Sequence, residues 1–247
     1  MIHQAAILAA GKGSRIRISH DDLPKPLHMV AGAPLIRRTI ESLAAAGVTK
    51  VVVVVGFMAE TIRHAVATDP VLGAAHYGVE IVFIDNPEYE KSNGVSVMVA
   101  ATLLTGPFLL SMSDHVYDAS VAARVACADM QAADLYLAVD RRVAEVYDID
   151  DATKVATRDD KIVNISKQLT VYDCIDCGVF AVSHGLVAEL QKVYDRGGDC
   201  SLSDGVLQLA QRGRACVVDI DDAFWQDVDT PDALIRAEAE LARLTHR

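Results

Sequence analysis

The stretch Ala5-Ala6-Ile7-Leu8-Ala9-Ala10-Gly11-Lys12-Gly13-Ser14-Arg15, followed by Leu23-Pro24-Lys25-Pro26-Leu27, decides how the rest of the chain is read. An apolar run of strand length ends in two glycines and then cations, the arrangement a backbone needs to approach a nucleoside triphosphate closely. Glycine removes Cβ where the chain must turn tightly and lets N–H groups face phosphate oxygens. Arg15 supplies a planar fork for those oxygens, and Lys25 a compact ammonium. A dinucleotide-binding turn would need a third glycine and an immediate helix, with an acidic residue about 20 positions on. Here Arg15-Ile16-Arg17-Ile18-Ser19-His20-Asp21-Asp22 reads as a polar, irregular loop instead. A Walker-type loop needs Gly-Lys-Ser/Thr after four intervening residues, an order that Gly11-Lys12-Gly13-Ser14 lacks.

Outward from this stretch, strand and helix alternate. Short, nearly continuous apolar runs at 5–10, 51–55, 79–84 and 108–112 suit strands buried on both faces. Between them, 35–46, 59–67 and 95–104 have helical length and apolar spacing. The alternation predicts an α/β fold, a mostly parallel sheet flanked by helices, with ligands outside the carboxyl ends of its strands. A helix over 119–132 and a strand over 135–139 continue the rhythm, which then changes. Segments 153–158 and 162–165 flank Asp159-Asp160-Lys161, a hairpin with a polar tip. A strand over 177–182, helices near 186–193 and 202–212, and an alanine-rich helix over 233–244 complete the reading. With no internal repeat or flexible linker, it predicts a single domain over 1–247 with a lid-like antiparallel insertion around 140–176.

The composition bounds the function. At 247 residues and 51% apolar, the chain can bury a large core. A net charge of −11 argues against nucleic acid or an anionic membrane surface as the main partner, since both reward excess Lys and Arg. No apolar run reaches the roughly 18 to 20 residues that span a bilayer, and the amino terminus opens directly on a strand with no leader to remove. Five scattered cysteines suit reduced thiols in a cytoplasm. Cys174-Ile175-Asp176-Cys177 has metal or redox spacing, but no second pair or nearby His completes a zinc site, so it reads as a strand.

Three further segments carry chemistry. Asp114, in Ser113-Asp114-His115-Val116-Tyr117, follows a strand of the parallel sheet, at the edge where ligands bind. Far down the chain, Trp225-Gln226-Asp227-Val228-Asp229-Thr230-Pro231 sets two carboxylates just before a helix. Thr230 or Asp229 suffices to cap that helix, and the spare carboxylates suit Mg²⁺, which prefers a few carboxylates plus substrate phosphates. Lys91-Ser92-Asn93-Gly94-Val95-Ser96 also faces the ligand edge. Gly94 permits backbone approach, Asn93 offers paired donor and acceptor groups for a base or ribose, and Ser96 is either a contact or a helix cap. In the insertion, Lys154 reads as an ordinary solvated hairpin lysine, whereas Lys167 is placed to reach an acceptor phosphate. Asp173 and Asp176 are candidates for polyol hydroxyls.

The glycine-rich stretch with its later Pro-Lys-Pro resembles the signature of the nucleotidyltransferase superfamily that makes activated sugars and alcohols. Asp-His-Val-Tyr, Asp-Ala-Thr-Lys-Val, Lys-Gln-Leu, Tyr-Asp-Cys-Ile-Asp-Cys-Gly-Val-Phe and Trp-Gln-Asp-Val-Asp-Thr-Pro-Asp narrow the likeness. Together they are similar to the cytidylyltransferases that activate inositol 1-phosphate with CTP, over positions 2 to about 242. Two places depart from the pattern: loop 16–23 is longer, and Cys177 stands where Thr is expected. The resemblance implies a Rossmann-like fold of the nucleotide-diphospho-sugar transferase type. It implies nucleotide contacts at Ala9, Gly11, Lys12, Gly13, Asn93, Gly94 and Ser96, and catalytic cations at Arg15 and Lys25. Mg²⁺ would be held by Asp114 with Asp229 or Asp227, and the acceptor by Lys167, Asp173 and Asp176. It further implies a membrane phosphotransferase downstream, expected as a separate chain since nothing membrane-embedded follows Arg247. Other phosphorylated alcohols, phosphonates or sugar 1-phosphates are alternative acceptors. A catalytically silent nucleotide sensor is the rival of another class, against which the joint retention of Lys25, Asp114, Asp227 and Asp229 speaks.

Overall fold

The computed structural model describes residues 1–13, 23–72 and 78–245. Its centre is a nine-stranded sheet. In chain order the strands are β1 (Gln4–Ala9), the short β2 (Met29–Val30) and β3 (Ala33–Pro34), β4 (Lys50–Val55), β5 (Glu80–Asp85), β6 (Phe108–Met112), β7 (His115–Tyr117) and β8 (Leu135–Asp140). They continue with β9 (Lys154–Arg158), β10 (Lys161–Ser166), β11 (Cys174–Val182), β12 (Ala215–Asp219) and β13 (Trp225–Asp227). The helices are α1 (Leu35–Ala45), α2 (Ala59–Thr68), α3 (Asn93–Ala101), α4 (Ala119–Ala126), α5 (His184–Gly197), α6 (Leu202–Ala210) and α7 (Pro231–Thr245).

The main sheet runs β5-β4-β1-β6-β11-β8-β12-β10-β9. β1 pairs in parallel with both β4 and β6, and the chain travels outward from β1 to β4 and β5 before returning to β6. The β1–β6 gap is therefore the switch point where the strand order reverses, the place a ligand enters such a sheet. Alternation along β1 sends Ala5, Ile7 and Ala9 to one face, where Ile36, Ile40 and Leu43 of α1 and Val121 and Val125 of α4 cover them. Ala6 and Leu8 meet Val97 and Ala100 of α3 in the other core layer, which Leu190 of α5 and Val206 of α6 also fill.

The insertion differs from a free lid. β9 and β10 turn through Asp159 and Asp160, both at positive φ (51° and 57°), which fits a tight primed hairpin turn. The hairpin is built into the sheet: β10 pairs with β12, and β9 pairs with the start of β11, curling that end of the sheet back on itself. Lys154 is correspondingly not solvated. It is buried, and its Nζ donates to the carbonyls of Asp150, Ala152 and Lys167 at 3.2, 3.2 and 2.9 Å. The charge stays buried because three carbonyl dipoles replace its water.

Local signals explain several helix ends. Asp118, Ser183 and Ser201 cap α4, α5 and α6, the last with a reciprocal bond from Asp204, and Gly198 closes α5 in the left-handed region. α4 stops at Ala126 rather than continuing to 132, because the Asp129 carboxylate takes the Gln131 N–H and folds the chain into a turn. Gly94 allows α3 to approach α5 and the turn before α6: a Cβ there would stand 2.6 Å from the Cys200 carbonyl oxygen and 2.9 Å from Leu190 Cδ2. Gly94→Ala is accordingly expected to cost about 1–3 kcal/mol by overpacking, more than its helix-propensity gain of up to about 1 kcal/mol. A urea midpoint equal to that of the unmodified chain would contradict this.

Candidate active site

Three segments distant in sequence meet at the switch point. The loop leaving β1 carries Gly13 at φ +58°, where a Cβ would lie 2.7 Å from the Cβ of Lys25. Only glycine lets this loop lie so close against the lysine. Lys25 itself opens a single helical turn between Pro24 and Pro26 and is 6% exposed. Its Nζ stands 2.6 Å from Asp114 Oδ2, just beyond β6, and 3.8 Å from Asp227 Oδ1. It also forms an ion pair with Asp229, at the foot of α7. Thr230, not Asp229, caps α7, its Oγ1 accepting the Ala233 N–H at 3.1 Å. Asp227 and Asp229 both face Lys25.

Strand pairing between β7 and β13 sets His115 opposite Asp227. His115 Nδ1 donates to Asp114 Oδ1 at 2.9 Å and lies 3.9 Å from Asp227 Oδ1. Burial alone would lower the imidazole pKa, but Asp227 and then Asp114 overcome it and raise it to about 9. Burial likewise pushes Asp114 up, and the Lys25 charge followed by the His115 N–H outweighs it, holding the carboxyl well below the usual carboxylate range. Asp176, on β11, is raised to about 6 by burial, against the Gly178 N–H that donates to it at 2.7 Å.

The donor set fits a hard divalent cation. Atoms of Asp114, His115 and Asp227 lie within 4.8 Å of one another; His115 Nδ1 is engaged by Asp114 Oδ1, and the carboxylate oxygens of Asp114, Asp227 and Asp229 are the ligands this cluster offers a hard cation. Asp227 Oδ1 is shielded from solvent and accepts no hydrogen bond, and such a buried acceptor is costly unless a cation or donor meets it. Oxygen ligands, a few carboxylates completed by water and substrate phosphates, are what Mg²⁺ favours.

A cavity of about 860 Å³ opens from these carboxylates toward the segment after β8 and one face of α7. Asn93, Lys167 and Asp176 line it, Lys167 held by Asp151 at 3.0 Å. Asn93 Oδ1 accepts the Leu202 N–H at 2.8 Å, tying α3 to α6. Lys12 is exposed and paired with Glu90 at 2.5 Å, Gly11 has open space around it, and Ala9 is buried at the end of β1. Arg15 and the loop 14–22 lie outside the described residues.

Two expected contacts are corrected. Asp173 lies outside the cavity wall, where the Thr157 N–H and hydroxyl and Arg141 hold it, the last at 2.6 Å. Its carboxylate is spent fastening β9 to the chain before β11. Ser96 neither caps α3 nor lines the cavity: it is buried one turn inside the helix, where its Oγ accepts the Asn86 amide at 2.9 Å.

Residues without a role in the sequence reading also face the cavity: His115, Asp140, Arg142, Trp225, and Tyr147 with Arg236 of α7 stacked 4.5 Å from its ring centroid. His115 and Trp225 stand inside the very segments that carry the aspartates. Their signal was a motif position without a partner, since β7 and β13 are three-residue strands that exist only by pairing with each other.

A glycine loop and a buried lysine meeting aspartates at the switch point of a parallel sheet define a nucleotidyltransferase. The chain belongs to the MobA-like NTP transferase domain family, whose pattern matches residues 5–148. A bifunctional IPC transferase and DIPP synthase from Thermococcus kodakarensis is 35% identical over 242 residues, 97% of this chain and 51% of that protein. A CMP-5'-(3-aminopropyl)phosphonate synthase from Streptomyces rubellomurinus is 30% identical, over 92% of this chain and 37% of its own length. The chain thus spans about half the length, or less, of these curated relatives. Among solved structures, the inositol-1-phosphate CTP transferase from T. maritima superposes with a TM-score of 0.84 at 25% identity, over 97% of this chain and 96% of that one. UDP-glucose pyrophosphorylase complexed with UDP-glucose superposes at 0.82 with 14% identity, over 98% and 99%, a likeness of fold alone. Among the described residues, no helix is long and apolar enough to cross a membrane.

Proposed function

We propose that this chain, acting as one catalytic domain, is a Mg²⁺-dependent cytidylyltransferase that joins CTP and inositol 1-phosphate into CDP-inositol and pyrophosphate. The observation that carries the reading is the meeting of Lys25 with Asp114, Asp227 and Asp229 at the sheet's switch point. The name of the T. maritima relative supplies the nucleotide and acceptor.

An oxygen of the acceptor phosphate attacks the α-phosphorus of CTP, the bond from that phosphorus to the bridging oxygen breaks, and pyrophosphate leaves. The acceptor is already ionised near neutral pH, so the protein's task is positioning and charge neutralisation rather than proton removal. Gly11, Gly13 and Arg15 hold the triphosphate, with Lys12 toward the departing pyrophosphate. Lys25 neutralises the α-phosphate, and Asn93 and Gly94 contact the nucleoside. Lys167 takes the acceptor phosphate and Asp176 its hydroxyls. Mg²⁺, held by Asp114 with Asp229 or Asp227, would supply Lewis-acid stabilisation of the phosphoryl oxygens. The cytoplasm supplies CTP, and a separate membrane phosphotransferase would consume the product.

The test is a pyrophosphate-release matrix of four nucleoside triphosphates against inositol 1-phosphate, phosphocholine, 3-aminopropylphosphonate and glucose 1-phosphate. CTP with inositol 1-phosphate should give the highest kcat/KM, and excess chelator should abolish turnover until Mg²⁺ is restored. Faster turnover with the phosphonate would favour the activity of the Streptomyces relative instead. Nucleotide binding without release under any combination would favour a sensor.

A further inference from the structure

The indole of Trp225 is tethered at one edge and loaded on one face. Asp140, at the end of β8, is 4% exposed and takes four hydrogen bonds. Its Oδ1 accepts from the backbone N–H and Nε of Arg142 at 2.7 and 3.0 Å, and its Oδ2 from Arg142 Nη2 and Trp225 Nε1 at 2.9 and 2.8 Å. Arg142 also donates to the Ala223 carbonyl at 2.8 Å, so the clasp joins β8 to the chain entering β13. The ring of Trp225 stacks on His115 at 6.1 Å between centroids and 16° between planes. Gly178, at φ +74°, closes on the same imidazole: a Cβ there would lie 2.6 Å from its Cδ2. A ring so confined keeps one orientation. In it, Nδ1 meets Asp114 Oδ1, which leaves Asp114 Oδ2 on the Lys25 side beside Asp227 Oδ1.

We propose that Trp225, held by Asp140, is a positioning residue that orients His115 and through it fixes Asp114 for the divalent cation and the nucleotide. The inference deepens the cytidylyltransferase reading and rests on it for the cation. The residue type follows from geometry. An indole presents an N–H at its edge to Asp140 while offering a broad flat face to the imidazole of His115. A phenyl ring keeps the stack and loses the tether, and leucine loses both.

Two measurements test it. The first needs no metal: the downfield imidazole Nδ1–H proton of His115, assigned by its loss in His115→Asn, should shift or vanish in Trp225→Leu and Asp140→Asn. The second is Mn²⁺ titration followed by electron paramagnetic resonance. Outer-shell changes of this kind cost about 10–100-fold in metal affinity, so Trp225→Leu and Asp140→Asn should weaken Mn²⁺ by at least about tenfold, and Trp225→Phe by less. Because Trp225 acts through His115, adding Trp225→Leu to His115→Asn should change the affinity no further. An unmoved Nδ1–H resonance in folded Trp225→Leu, or in Trp225→Phe and Asp140→Asn should the leucine variant not fold, would overturn the proposal. So would an additive double variant. A displaced resonance in a protein that releases no pyrophosphate would sink the cytidylyltransferase reading and leave the positioning role standing.

Discussion

Lys25→Ala is expected to lower kcat/KM by about 10²–10³, or roughly 3–4 kcal/mol of transition-state stabilisation, the loss seen when one preorganised electrostatic donor is removed. The lysine is buried and its Nζ is fixed by carboxylates from two distant segments, so its charge needs no reorganisation to meet a phosphoryl oxygen. Its effect belongs to the transition state. The fall should therefore appear chiefly in kcat, with the KM for CTP changing several-fold less. Lys25→Arg should not restore activity, because the side chain runs beside Gly13 where even a single added carbon would stand 2.7 Å away. Circular dichroism and melting would separate the catalytic loss from unfolding. Turnover within about threefold of the unmodified chain would remove Lys25 from the reaction.

Asp114→Asn should cost at least about as much, on the order of 10³ in kcat/KM, because one carboxylate serves three partners. It accepts from Lys25 and His115 and, in the proposed reaction, would offer oxygens to the cation. The amide keeps the shape and removes the charge, so a defect that excess Mg²⁺ partly relieves would locate the loss in metal holding. The substitution also has a signature in stability against pH. The folded-state pKa of Asp114 is depressed, so its ionisation stabilises the fold above the unfolded value of about 3.9 and that contribution is lost as the pH falls below it. Asp114→Asn should consequently flatten the acid limb of the stability profile. An unchanged acid limb would mean that Lys25 and His115 do not hold this carboxylate ionised.

What could be read before the structure follows a clear physical line. The strand over 5–10 and the helix over 35–46 were legible because burial on two faces, or on one helical stripe, imposes a local period on the residues themselves. Asp114 was legible because it follows a buried strand at the edge where ligands bind. β12, with Ala215-Cys216-Val217-Val218, passed unread because its short apolar run looks like many others. Ser96 and Asp173 misled for a common reason: a polar residue near a ligand edge is equally able to satisfy a buried amide or to pin a strand, and only its neighbours decide. Lys154 shows the converse, a lysine drawn inward because three carbonyls of a folded turn converge on it.

The sequence alone determined the glycine loop, the alternating sheet and the set of charged residues available for phosphate chemistry, since backbone freedom, hydrophobic period and charge are properties of short stretches. Only the tertiary structure decided which of those charges share a site. It drew Asp227 and Asp229 to Lys25 across some two hundred residues, and set Trp225 on His115 through two three-residue strands that pair only with each other. Contacts of that range have no local pattern to announce them, because the free energy that forms them comes from closing the whole sheet.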